Sequence, residues 1–168
     1  MNLHIRPEAT TDIAAIDAVI VAAFLHAPHT SHKEQYIVRA LRAADALAIS
    51  LVAELQGRVV GHVAVSAVVI SDDSLGWFGL GPIAVSPEIQ RQGIGVQLMR
   101  QALHLLEMRG AAGCVVLGDP GYYRRFGFKA QPTLTLPGVP AEYFQVLSLG
   151  APLPTGTVTY HVAFDANG

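Results

Sequence analysis

Residues 77–117 run from an apolar strand through a loop with two glycines into a long helix and a second strand, and this unit limits the folds open to the chain. The apolar run Trp77–Val85 feeds a loop over 86–95 that carries Gly93 and Gly95. The spacing predicts a helix over about 94–109, with Ile94, Leu98, Ala102, Leu105 and Leu106 on one stripe. Gln97, Arg100, Gln101, His104 and Glu107 face away from that stripe, and Gly110 ends the helix. Residues 113–117 (GCVVL) then read as a short buried strand.

The flanking segments extend the pattern. Leu3–Arg6 is a strand candidate ended by Pro7; Thr11 is expected to cap a helix to about Phe24, with Ile13, Ile16, Ile20 and Phe24 inward. Pro28 interrupts the chain, and Ser31 to Glu34 forms a capping box opening a second helix with Tyr36, Ile37, Ala40 and Leu41 buried. Runs 47–55 and 58–70 are β-branched strands joined by a hairpin turn at Gln56-Gly57. A short turn or helix covers 119–126, and 127–164 is read as short strands broken by Pro and Gly. The order β-α-α-β-β-β-α-β-α-β-β describes a mixed α/β sheet, with residues 1–168 forming one domain.

Composition removes several classes. Eleven Lys and Arg stand against thirteen Asp and Glu, only 14% of the chain, for a net charge of −2. A surface basic enough to grip nucleic acid is not available, and 51% hydrophobic residues argue against disorder. The uncharged run 59–71 is too short to span a membrane, and 143–164 is interrupted by Gly and Pro, so no membrane partner is expected. The start lacks an apolar signal segment, and the single Cys114 suits a reducing compartment, so a cytoplasmic location is expected. The apolar excess is compatible with a homodimer.

Chemistry concentrates in two places. Glycines at 93 and 95 let backbone N–H groups converge, and the helix N-terminus adds unpaired donors and a partial positive charge; together they form an anion site suited to phosphate. Gln90 and Arg91 add side-chain donors. The chain has no Gly-Lys dipeptide for a Walker loop, and the G-x-G-x-x-A pattern at Gly79–Ala84 is broken by Pro82 before any helix. An isolated Gly93-Ile94-Gly95 equally fits a plain strand-to-helix turn. The second cluster is Gly118-Asp-Pro-Gly-Tyr-Tyr-Arg-Arg-Phe-Gly-Phe128, directly after the next strand, where ligands of α/β sheets bind. A phenol there can donate a proton to a thiolate; Phe126 and Phe128 read as core.

His26, His29 and His32 recur every three residues, but Pro28 intervenes and no carboxylate or Cys joins them, so no metal site is expected. Cys114 is mid-strand with no neighbouring base and reads as an inert thiol. Six of the eleven cations (Arg91, Arg100, Arg109, Arg124, Arg125, Lys129) fall within 91–129, the segment of the anion site.

Gln90-Arg91-Gln92-Gly93-Ile94-Gly95 and Tyr123-Arg-Arg-Phe-Gly127-Phe128, ordered around one helix and strand, resemble the signatures of the GNAT superfamily of acyl-CoA-dependent N-acetyltransferases. Leu80–Val85 and Leu117–Tyr123 look like its bacterial YhbS-like branch. The resemblance spans nearly the whole chain and implies the GNAT-type α/β fold, with a central mixed, mostly antiparallel sheet flanked by helices. It implies transfer of acetyl from acetyl-CoA to a primary amine by direct attack in a ternary complex. A charged tRNA is the one nucleic acid among the acceptors it leaves open. The pyrophosphate would rest on the N–H groups of 90–95, and the pantetheine arm would pair with Ile83, Ala84 and Val85. Tyr123 would protonate the thiolate, with Tyr122 its rival, and Glu88, His62 and Asp119 are candidate bases. The family's Asn before the tyrosine is missing, and Asp119 is its only stand-in. Arg124, Arg125 and Lys129 are candidates for the 3′-phosphate. A binding module without turnover is the alternative, and nothing in the motifs separates acetyl from longer acyl donors.

Overall fold

The computed structural model describes residues 2–28 and 30–168. In chain order the elements are β1 (Leu3–Pro7), α1 (Ile13–Phe24), α2 (Glu34–Ala43), β2 (Ile49–Leu55), β3 (Arg58–Ala67) and β4 (Val69–Ile70). They continue as β5 (Trp77–Val85), α3 (Ile94–Met108), β6 (Gly113–Leu117), α4 (Pro120–Tyr123), β7 (Leu134–Thr135), β8 (Phe144–Ser148) and β9 (Gly156–Thr159). Six strands form one sheet in the order β1-β2-β3-β5-β6-β8, antiparallel except for the β5–β6 pair; β4, β9 and β7 form a smaller sheet.

The helices divide the large sheet's faces between them. On one face α3 lays Ile94, Leu98, Met99, Ala102 and Leu106 onto Leu51, Val63, Leu80, Cys114 and Val116. The opposite face is covered in two parts, by α1 through Ile16 and Ile20 over Val52, Ala64 and Ala84, and by the smaller sheet over Trp77 and Val115. No helix among the described residues is long and apolar enough to cross a membrane.

Three expectations are corrected in detail. Thr11 does not cap α1: Thr10–Asp12 form a 3-10 turn, and the anchor is Asp12, whose carboxylate takes the Ala9 N–H at 2.7 Å and Arg6 at 2.7 Å. Side-chain geometry wins because one carboxylate can satisfy a backbone donor and a guanidinium together. The box at Ser31 forms its back-bond, Ser31 N–H to Glu34 at 3.2 Å, but α2 begins only at Glu34. The run 58–70 is two strands, broken at Val68, whose last two residues join the smaller sheet. His29, in the expected histidine series, lies outside the described residues.

A buried polar cluster lies between α1, α2 and the sheet. Arg42 meets the Glu8 carboxylate at 2.9 and 3.0 Å, and Ser50 donates its hydroxyl to the same carboxylate. Burial alone would raise the Glu8 carboxyl, but nearby His62 and the donors Arg42 and Ser50 outweigh it and hold Glu8 well below the usual carboxylate range. Glu8 is therefore ionised and accepts only. The single Ser50 proton is then committed, and Ser50 Oγ, 2.8 Å from His62 Nε2, must accept from that nitrogen. Nδ1 is left as a buried acceptor with no partner among the described residues. His62 is fully buried, and burial pushes its imidazole down against the pull of Glu8 and Asp17, keeping it neutral.

Both groups bind protons more readily in the unfolded chain, so each loses stability as pH falls. From about pH 8 down to about pH 6.5 the unfolding free energy is expected to be flat. Below it the free energy falls by up to about 1.4 kcal/mol per pH unit as unfolded His62 charges, and the fall steepens under about pH 4.5 as Glu8 follows. His62→Gln should remove the upper limb and leave the lower, as read by denaturant titrations across pH. A wild-type curve flat from pH 6.5 to 5 would refute the neutral His62.

Candidate active site

The site begins with an irregularity in β5. Val63 pairs with Ile83 but Val65 with Leu80, so Gly81 and Pro82 together oppose the single residue Ala64. Such a two-against-one bulge bends the strand that carries it, and Pro82 has no N–H for a ladder. Beyond it β5 parts from β6: the two pair only over Trp77–Gly79 with Gly113–Val115, while β6 remains paired to β8 to its end. From Leu80 to Val85 the β5 edge that faces β6 has no strand partner among the described residues.

A cleft of about 520 Å³ occupies the opening. Ile83, Ala84 and Val85 line it from β5, Gln90, Arg91 and Gly93 from the following loop, and Ile94 and Gly95 from the first turn of α3. Gly93 is the α3 N-cap in the left-handed region (φ 84°), and Arg91 is left-handed as well (φ 65°). Alternation of this kind turns successive N–H groups toward one concavity. A Cβ on Gly93 would meet nothing within 4 Å, so the space above it is open. The Gln90 amide ties the loop back to the strand, donating to the Val85 carbonyl at 3.0 Å, rather than pointing both donors into the cleft.

The two tyrosines separate. Tyr122 lines the cleft, and its hydroxyl is 3.2 Å from where a Cβ on Gly95 would stand, at the mouth beside the α3 N-terminus. Arg125 also lines the cleft, its guanidinium 4.5 Å over the Tyr122 ring. Tyr123 lies behind the lining rather than in it: its ring fills the notch left by Gly118, where a Cβ would be 2.6 Å from Cε2, and meets Phe128 edge-on at 6.1 Å. Burial, with the nearby Tyr122, Cys114 and Asp119, pushes the Tyr123 phenol up to about 12.

The three candidate bases do not join them. Glu88 is exposed on the 3-10 turn Pro87–Ile89 and is not among the cleft's lining residues. His62 is sealed beneath α1. The Asp119 carboxylate caps α4, accepting the Gly121 N–H at 2.9 Å, and it too is outside the lining. Gln92, Arg124 and Lys129 are exposed and likewise outside it. Sequence reasoning missed Ile89 and Val96, which complete the apolar wall; nothing but their adjacency to the loop signals them. Among the described residues no group of three His, Cys, Asp or Glu side chains is placed to hold a metal ion.

Residues 46–130 match the family model described as the acetyltransferase (GNAT) domain. The uncharacterized N-acetyltransferase YhbS of Escherichia coli K12 is 36% identical, across 96% of this chain and 98% of that protein. The crystal structure of E. coli YhbS in complex with CoA superposes with a TM-score of 0.87 over 99% of this chain and 93% of that one. A GNAT family acetyltransferase from Brucella melitensis, crystallised in complex with acetyl-CoA, is 50% identical with a TM-score of 0.87, over 98% and 99% of the two chains.

Proposed function

The chain belongs to the GNAT acetyltransferase family, and on that premise we propose that it transfers the acetyl group of acetyl-CoA to a primary amine by direct attack in a ternary complex. The observation that carries this reading is the unpaired β5 edge at Ile83–Val85 next to the open α3 N-terminus. A cofactor with a pyrophosphate at one end and an amide-bearing arm needs those two features side by side. The CoA and acetyl-CoA held by the E. coli and Brucella relatives support it.

The pyrophosphate lies on the N–H groups of 90–95, and the arm runs inward along Ile83–Val85 as an added strand. Free N–H groups of the same edge polarise the thioester carbonyl. The amine nitrogen attacks the carbonyl carbon, the C–S bond breaks, and the sulfur leaves with the electron pair. The amine's proton passes to solvent, since none of Glu88, His62 and Asp119 lines the cleft. Tyr122, over Gly95, belongs to the phosphate end; Tyr123, behind the lining and more buried, belongs to the thioester end. A phenol near 12 is a weaker acid than an ordinary thiol of about 8.5. Tyr123 O–H therefore stabilises the departing thiolate first as a hydrogen-bond donor. Transfer completes only because the same buried surroundings raise the sulfur's own proton affinity.

Gly93→Asp should weaken acetyl-CoA binding by about a hundredfold or more, since it sets a carboxylate where phosphate rests. Gly93→Ala should cost only the strain of the left-handed backbone, ~1–2 kcal/mol. Calorimetry checks both, and unchanged affinity in Gly93→Asp defeats the phosphate assignment. With a panel of amines and free CoA thiol as readout, Tyr123→Phe should lower kcat by roughly 10²–10⁴ at unchanged acetyl-CoA affinity. Tyr122→Phe should act on affinity instead, and the reverse pattern would exchange the two roles. Wild-type kcat/KM should rise with pH toward the amine's ordinary pKa of about 10.4, with no downturn from Tyr123 on the way.

A further inference from the structure

Of β5 only Ile83, Ala84 and Val85 line the cleft, and Leu80, Cys114 and Tyr160 lie outside its lining. Gly79 and Val115 are the last residues β5 and β6 pair before they part. Against Gly79 stands the ring of Tyr160, entering from the face covered by the smaller sheet. A Cβ on Gly79 would be 2.5 Å from Tyr160 Cε1 and 3.1 Å from Val68 Cγ1, so glycine is what lets the ring lie there. Phe164 backs the ring at 4.8 Å. From the α3 face the same point is closed by Leu80 and the fully buried Cys114. Burial raises the Tyr160 phenol, with Cys114 and Tyr123 adding to it, as expected if the three groups crowd one spot from two faces.

Gly79 is six residues from Val85, and strands rise about 3.3 Å per residue, so the free edge offers roughly 20 Å, less the bulge, for an extended arm. An arm held at its phosphate end by residues 90–95 therefore brings its acyl group toward Gly79. We propose that Tyr160 sets the acyl length this site accepts: an acetyl group fits in front of the ring, and a longer chain collides with it. The inference rests on the acetyl-CoA reading above. Tyr160 acts through its bulk, not its hydroxyl, and is a specificity-determining residue rather than a catalytic one.

Calorimetric titration with acetyl-CoA, hexanoyl-CoA and CoA tests this without an acceptor amine. Wild-type protein should bind acetyl-CoA at least about tenfold more tightly than hexanoyl-CoA. Tyr160→Ala should recover hexanoyl-CoA affinity by about tenfold or more while acetyl-CoA and CoA stay within about threefold. Tyr160→Phe should keep the wild-type preference. Tyr160→Leu, which preserves more packing, serves if the alanine variant fails to fold, and should shift the preference in the same direction. Equal wild-type affinities for the two acyl-CoAs, or an unchanged ratio in the folded small-residue variant, would overturn the role of Tyr160. Failure of wild-type protein to bind either CoA or acetyl-CoA would instead overturn the cofactor reading.

Discussion

The separation of β5 from β6 decides what the molecule can do, and it follows from two residues. Gly81 and Pro82 stand opposite the one residue Ala64, so β5 cannot stay in register with β3 and remain straight. The bend releases β5 from β6 after Gly79, and backbone groups that a sheet would otherwise pair are left facing a cleft. Unpaired edges are normally covered or blunted, because they invite another strand. Here the edge is recessed between α3 and α4, so what reaches it must be narrow and extended. The 90–95 loop follows directly on the freed segment, which places the open N-terminus of α3 at one end of that edge by chain connectivity alone.

The strand–loop–helix–strand core of this arrangement was legible in the residues, because it depends on local signals: apolar period, glycine at a helix start, glycine after its end. The residues expected to meet the cofactor, Ile83 to Val85 and Gln90 to Gly95, form two unbroken runs, and all but Gln92 line the cleft. What stayed hidden depends on partners distant in sequence. Asp12 replaces Thr11 as anchor because it pairs with Arg6, which Glu54 of β2, far along the chain, holds in place at 2.9 Å. The strand run through residue 70 breaks at Val68 because β9, some ninety residues later, takes Val69 and Ile70 into another sheet. The Gly81-Pro82 step was visible, but its effect requires the register of β3.

Candidate bases illustrate the same limit. Glu88, His62 and Asp119 are the right residue types near the right motifs, yet each has a place in the fold that removes it from the cleft. Asp119 precedes a proline and a helix, and an N-cap is what such a position commonly supplies; its carboxylate spends its bond on Gly121. His62 lies opposite Ala84 in the sheet, but side chains on that face point under α1 rather than into the opening. Its buried cluster with Glu8, Ser50 and Arg42 ties β1, β2, β3 and α2 together, so the polar residues there serve the frame that holds β5 from behind.

Two glycines complete the geometry by omission. Gly118 makes room for Tyr123 on one face of the sheet, and Gly79 makes room for Tyr160 on the other. Both rings lie where a side chain of any other residue would clash, so each is fixed by the backbone rather than by a hydrogen bond. The opening is therefore polar and wide at the helix end, and aromatic and closed at the strand end. A phenol raised to about 12 by its surroundings stays protonated through the neutral range, so the closed end adds no charge of its own. That contrast suits a donor that carries its charge at one end and its reacting carbonyl at the other: the charge would meet N–H groups and arginines, and the carbonyl a buried aromatic wall where hydrogen-bond donors act more strongly than in water.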